Sequence, residues 1–211
     1  MLSWQERDKI DDAGNYYNML GWAFARGKGK PETGYQKEQK VFAACAGAAI
    51  YRRSLLEKTG LFDEEHFAYL EDLDIGYRAR SPGYENWFLP RAPFSRARVY
   101  HVGSGTSGSR YNLFKIRYSS RNNVYLIYKN MPLLQLIFNL PALCLGFLVK
   151  LVFFASKGYG REYAAGIKNG FSISRKKENR AKKVRFSPGH LWNYLCIQWE
   201  LFVSIFRRFF R

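Results

Sequence analysis

The densest chemistry in the chain lies at Glu71, Asp72 and Asp74, carboxylates crowded into a single short run. Phe62, Phe67, Tyr69 and Tyr77 flank them in sequence as an aromatic shell. A carboxyl group against such partly dry walls loses hydration of its charged form. Its pKa then rises toward neutrality, as a general base requires. The plain alternative is that these acids only open a helix, where the dipole favours negative charge. His101 is the second candidate, ending a strand-like piece beside a Gly/Ser-rich loop over 103–109. A histidine there is either a metal ligand or an ordinary strand-end residue. Cys45, Cys144 and Cys196 show no paired spacing, so neither a disulfide framework nor a zinc site is expected. Cys45 and Cys144 sit in small or apolar runs and read as buried hydrophobes, which fits a reducing, cytoplasmic setting.

Further motifs run in order along the first part of the chain: Gly47-Ala-Ala-Ile-Tyr-Arg52, Gly60-Leu-Phe-Asp-Glu64, and the stretch from Phe67 through Glu71-Asp72 to Arg78. Pro90, Val99-Tyr-His101, Ser104-Gly-Thr-Ser107, Arg121-Asn122 and Lys129-Asn-Met-Pro132 follow. The ordered series resembles rhamnosyltransferase-like members of the family 2 glycosyltransferases. That resemblance implies an α/β fold: a partial GT-A-like (Rossmann-like) domain followed by C-terminal membrane-associated helices. It implies inverting transfer of a sugar from a nucleotide-diphosphate sugar, with Asp72 as the base that deprotonates an acceptor hydroxyl. Glu71 and Asp74 would orient that base or bind acceptor hydroxyls. Gly47, Ala48, Arg78 and Arg121 would contact substrate. His101 would complete a divalent-metal site (Mn or Mg) that offsets charge on the leaving diphosphate. Asp72-Leu73-Asp74 has the form Asp-x-Asp, but within this resemblance it is base plus helper. The metal-binding Asp-x-Asp is expected in a nucleotide-binding half that precedes the equivalent of Met1. Pro93-Phe-Ser-Arg-Ala97 reads as an insertion between repeated Arg-Ala pairs, which bears on the strand carrying His101.

The elements that must position these residues follow from local pattern. Residues 41–51 are uncharged and rich in small side chains, which suits a buried strand. Ser54-Leu-Leu-Glu57 has the form of a capping box, and Gly60 suits a left-handed helix end. Residues 71–80 read as a helix with acids first and arginines last, stopped by Pro82-Gly83. Strand-like pieces follow at 87–89 and 98–102. A helix over 111–129 offers Leu113, Ile116, Val124 and Ile127 as its inner face. The division expected is 1–131 for the acceptor-side domain, 132–170 for an apolar membrane-interacting segment, 171–189 for a basic linker and 190–211 for an amphipathic helix.

Apolar residues make up 47% of the chain and aromatics 18%, which excludes a disordered composition. The formal charge of +17 favours anionic partners without choosing among them. Residues 133–149 carry no charge and Lys150 is alone before 155, just enough for a membrane helix, although a buried core helix has the same composition. Basic residues flank the run on both sides, so a helix lying in the interface, or a re-entrant pair broken at Pro141, is favoured over one crossing. The basic linker suits an anionic membrane surface. Leu191, Leu195, Trp199, Phe202, Phe206 and Phe209 recur at helical spacing, for a bilayer interface or for the protein's own core. The expected partners are therefore a nucleotide-diphosphate sugar, a glycan or lipid-linked acceptor, and the cytoplasmic face of the cell membrane. A catalytically inactive membrane-associated remnant is the alternative. A nucleic-acid binder leaves the apolar run unexplained, and nucleic acid is not an expected partner.

Overall fold

The computed structural model describes residues 1–90, 98–103 and 112–209, so Pro93–Ala97 and Ser104–Ser107 lie outside the described residues. The chain is mixed helix and strand, with helices dominating and the strands short. These are β1 (Leu2–Ser3), β2 (Asn15–Tyr17), β3 (Ala23–Ala25), β4 (Gln39–Val41), β5 (Asn86–Phe88) and β6 (Tyr100–His101). They form three separate pairs: β1 parallel to β6, β2 antiparallel to β3, and β4 antiparallel to β5. The expected strand over 41–51 ends at Val41. The chain beyond it stays buried to Ala43, then turns into a 3₁₀ segment at Ala46–Ala48.

Among the described residues there are seven α-helices: α1 (Arg53–Thr59), α2 (Glu71–Arg80), α3 (Leu113–Asn130), α4 (Leu133–Ser156), α5 (Gly160–Ser174), α6 (Lys177–Ala181) and α7 (Leu191–Phe209). Helix α1 ends as expected at Gly60, whose φ of 83° suits glycine. Its capping box does not form. The helix starts two residues early, leaving Ser54 inside it, and Arg53 pairs instead with Glu57 one turn on. On α3, Ile116, Val124 and Ile127 face inward, whereas Leu113 is exposed.

One core joins the first region to the last. Tyr17, Phe42, Leu73, Tyr77 and Leu126 pack in the same cluster as Leu143 of α4 and Ile197 and Leu201 of α7. Helix α5 lies close on α3 because Gly166 and Gly170 leave room. A Cβ at Gly166 would stand 1.8 Å from Ser120 Oγ, and one at Gly170 would stand 2.6 Å from Arg121 O.

Helix α4 is inside out. It runs unbroken through Pro141, so no re-entrant pair forms; the proline sits on the exposed side. Gln135, Asn139, Leu143 and Gly146 are its buried residues, one stripe along the helix. Gly146 fits against the Leu20 carbonyl, where a Cβ would be only 2.0 Å away, and Trp22 Nε1 donates to Gly146 O at 3.1 Å. Gln198 of α7 exchanges hydrogen bonds with Asn139 at 2.7 and 2.9 Å and accepts from Gln135 at 3.1 Å. Leu134, Ile137, Phe138, Leu145, Leu148 and Val152 point away from the protein, Leu134 being 79% exposed. On α7 the stripe of Leu191, Leu195, Trp199, Phe202 and Phe206 is likewise exposed, while Tyr194, Ile197, Leu201 and Ser204 face the core. That stripe does not pack on the protein's own core. Cys144 and Cys196 lie on these outer faces, not buried as expected for Cys144, and all three cysteines are free thiols.

Gly166→Leu should destabilise the fold by about 1–3 kcal/mol or more through overpacking between α3 and α5. Thermal unfolding with Ala164→Leu on the exposed side of α5 as control measures it; equal melting temperatures would refute this packing.

Candidate active site

Helix α2 opens without a conventional cap. Its N-cap is Leu70, in the left-handed region at φ 68°, and no side chain caps it. Glu71 and Asp72 therefore project from the first turn rather than filling the cap position. Asp72 is partly exposed. Its Oδ1 accepts from the Leu73 amide at 2.8 Å, and its Oδ2 accepts from Asn15 Nδ2 at 2.7 Å. Burial first, and then the neighbouring charge of Glu71, push its carboxyl up to about 7, with Asp12 adding to the same direction. Asn15 reaches Asp72 because its backbone is tied to Ala43, and α2 lies on Ala43 through Gly76, where a Cβ would stand 2.4 Å from the Ala43 Cβ.

The neighbours of this carboxyl are not the expected aromatic shell. Tyr77 is buried, with its hydroxyl on Gln135. Phe67 is 75% exposed and packs on Phe114 and Tyr118, and Tyr69 also meets Phe114. The groups electrostatically felt at Asp72 are instead Glu71, Asp12, Cys45 and Tyr51. Burial and the Asp72 charge drive the Tyr51 phenol above its ordinary range. Burial and Asp12 push the Cys45 thiol up to about 12. Asn15, Asp12 and Tyr51 were not legible as site residues, because their approach depends on contacts between distant parts of the chain.

Asp74 and Arg78, expected near substrate, lie in the interior. Asp74 Oδ2 accepts from Arg78 Nε and Lys129 Nζ, both at 2.9 Å, and its Oδ1 accepts from Asn130 Nδ2 at 2.8 Å. Arg78 spends its remaining donors on the carbonyls of Thr59, Gly60 and Leu61. Lys129 also reaches Asp63 Oδ2 at 2.8 Å, where the Tyr125 hydroxyl donates as well. Burial alone would raise Asp63 and Asp74, yet these cations and donors hold both below the usual carboxylate range. Asp74 and Arg78 are thus structural. A two-residue step turns a helix by roughly 200°, so Asp72 and Asp74 could not share one face.

Arg121 holds the loop before α2, donating to the carbonyls of Glu65 and His66. Asn122 Nδ2 lies 2.8, 2.8 and 2.7 Å from the carbonyls of His66, Ala68 and Tyr69. That amide restrains a loop in which Phe67, Tyr69 and Leu70 all have positive φ, a costly state for residues with side chains. From the other side, Lys176 and Asn179 bind Glu65, and Lys182 binds Asp63 at 2.7 Å. Part of the basic linker is therefore a clamp on this loop, not a free charge run.

Gly47 and Ala48 are exposed, with Gly47 beside Met1. His101 meets Asp11, Nδ1 to Oδ2 at 2.8 Å, because β6 pairs with β1 and the Asp11 amide bonds Met1 O. Lys28 occupies the other oxygen of Asp11 at 2.8 Å. Among the described residues no third metal-ligating side chain joins this pair. One imidazole and one lysine-paired carboxylate do not fit a self-contained site for a hard divalent cation. Among the described residues, none of five cavities of 360 to 650 Å³ is lined by Asp72. No family model, curated protein or solved structure matches this chain.

Asp72→Asn should stabilise the protein at pH 8 and not at pH 4. A carboxyl whose folded pKa is raised favours the folded state while protonated. That advantage fades as pH climbs from about 4 toward about 7, and the variant escapes the loss. Urea unfolding should register roughly 1–2 kcal/mol in favour of the variant at pH 8, after discounting for partial exposure; a destabilised variant there would contradict the raised pKa. Lys129→Met should cost about 3–5 kcal/mol by leaving Asp63 and Asp74 without their shared cation; a loss below about 1 kcal/mol would show that the network is not holding the fold.

Proposed function

We propose that this chain is the acceptor-side part of an inverting glycosyltransferase with a GT-A-like domain, and that it works on the cytoplasmic face of a membrane. The observation that carries the reading is Asp72: a partly open carboxyl at a helix start, brought near neutrality and steered by Asn15. The donor is a nucleotide-diphosphate sugar and the acceptor a lipid-linked or polysaccharide glycan. In the reaction, Asp72 takes the proton of the acceptor hydroxyl as its oxygen bonds to the anomeric carbon. The bond from that carbon to the diphosphate oxygen breaks, its electron pair leaves with the nucleotide diphosphate, and the sugar configuration inverts. Glu71 keeps Asp72 basic through its charge, while Arg121 and Asn122 fix the loop that carries both. A divalent metal at the diphosphate would need ligands beyond His101 and Asp11, so no step is assigned to one.

Support for the membrane seat comes from α4 and α7. Burying Gln135 and Asn139 while exposing leucines and phenylalanines is the reverse of a soluble helix, and such patches mark interaction surfaces. The buried stripe of residues 135–146 ties α4 to Leu20 and Trp22, which supports a helix lying in the plane of the interface. Such a seat holds the enzyme where a lipid-linked acceptor lies.

A second reading, an inactive membrane-associated remnant, is favoured by the amides on both Asp72 oxygens and the cavities placed elsewhere. Calorimetry with nucleotide sugar and manganese separates the two, since a remnant binds neither. In protein that transfers sugar, Asp72→Asn should lower turnover by about 10²–10⁴-fold while sparing donor binding. Wild-type turnover should rise with pH through about 7 as the base ionises. Retained turnover in the variant would refute Asp72 as the base.

A further inference from the structure

Two groups stand out among the basic residues of the C-terminal part. Lys176 and Lys182 are committed to Glu65 and Asp63. Arg161, Lys168 and Arg175 are exposed and, among the described residues, carry no ion pair. They recur every seven residues along one face of α5, so their Cα atoms are spaced by about 10 Å over nearly the whole helix. The opposite face cannot turn outward, because Tyr163, Gly166, Gly170 and Ile173 are buried and the glycines lock α5 onto α3.

Between the cations the face is apolar rather than acidic. Lys168, Ser172 and Arg175 share an open groove of 620 Å³ with Ala164, Ile167 and Phe171, the last 55% exposed. Glu162, the acid of α5, faces away and pairs with Arg117. The helix begins just past the end of α4, beyond a turn containing Lys157, and α4 ends with Val152 and Phe153 exposed.

We propose that the outer face of α5 binds anionic phospholipid headgroups of a bilayer: Lys168, Ser172 and Arg175 receive a lipid phosphate above the apolar floor of Ala164, Ile167 and Phe171, and Arg161 receives another. This rests on the membrane seat proposed above and deepens it by assigning a lipid-binding face to α5 and its C-terminal end. Cations attract the phosphate, the serine hydroxyl donates to it, and the apolar floor meets the glycerol and upper acyl region. A cationic face packed with apolar side chains suits a bilayer interface better than a fully hydrated polyanion.

The test uses the whole chain with phosphatidylcholine vesicles, with or without one third phosphatidylglycerol. The triple variant Arg161→Gln/Lys168→Gln/Arg175→Gln is compared with Lys37→Gln on the globular part, and circular dichroism confirms that both are folded. Wild type should bind the anionic vesicles more tightly, and raised salt should weaken binding. Each lost cation near the surface is worth about fivefold, so the triple variant should bind roughly 100-fold more weakly. The control should match wild type. Anionic-vesicle binding that survives in the triple variant overturns this site but leaves the membrane seat standing. Absence of binding to either vesicle overturns both. Competition by millimolar inorganic phosphate, or equal capture of an RNA oligonucleotide, would show a general anion surface and likewise overturns the proposal.

Discussion

The ammonium of Lys129, buried between Asp63 and Asp74, is the interaction on which the placement of everything else rests. With Arg78 it makes a buried network of two acids and two cations, which Lys182 joins from the surface at Asp63. Its four members come from three stretches: Asp63 from the loop after α1, Asp74 and Arg78 from α2, and Lys129 from the end of α3. Pairing charges in a low-dielectric interior is worth little net energy beyond hydrophobic packing, but breaking the set is costly, so it enforces one arrangement. That arrangement turns Asp74 inward and leaves Asp72 partly exposed.

The same network explains how an unfavourable loop can persist. Three consecutive-region residues with side chains, Phe67, Tyr69 and Leu70, hold positive φ just before the acid pair. Such a loop would relax if it were free. Asn122, Arg121 and the clamp from Lys176, Asn179 and Lys182 over-determine it from two sides. The loop that sets Asp72 is thereby tied to α3 on one side and to α6 on the other.

Those outer faces reverse the usual rule of burial. Gln135, Asn139 and Gln198 satisfy one another between α4 and α7, while tryptophans, leucines and phenylalanines look outward, Trp199 at 66% exposure. In water such a surface would be a large unfavourable exposure; against lipid, a hydrogen-bonded polar seam within and apolar side chains without are both satisfied.

Sequence alone determined the elements with strong local signals. Helix α2 at Glu71–Arg80, the glycine end of α1, the long helix before Pro132 and the apolar run of α4 all follow from periodicity, end residues and charge order, which act within a turn or two. Tertiary structure alone decided what each side chain faces. The strand expected over 41–51 stopped at Val41 because pairing with β5 extends no further. Asn15 reached Asp72 across 57 positions of sequence, and Lys129 reached Asp74 across 55. Which of two acids two residues apart is sealed in the interior, and whether a glutamine on an apolar helix points in or out, is fixed by distant partners competing for the same interior. No local pattern encodes that competition, because hydrogen bonding and burial are settled only when the whole chain has packed.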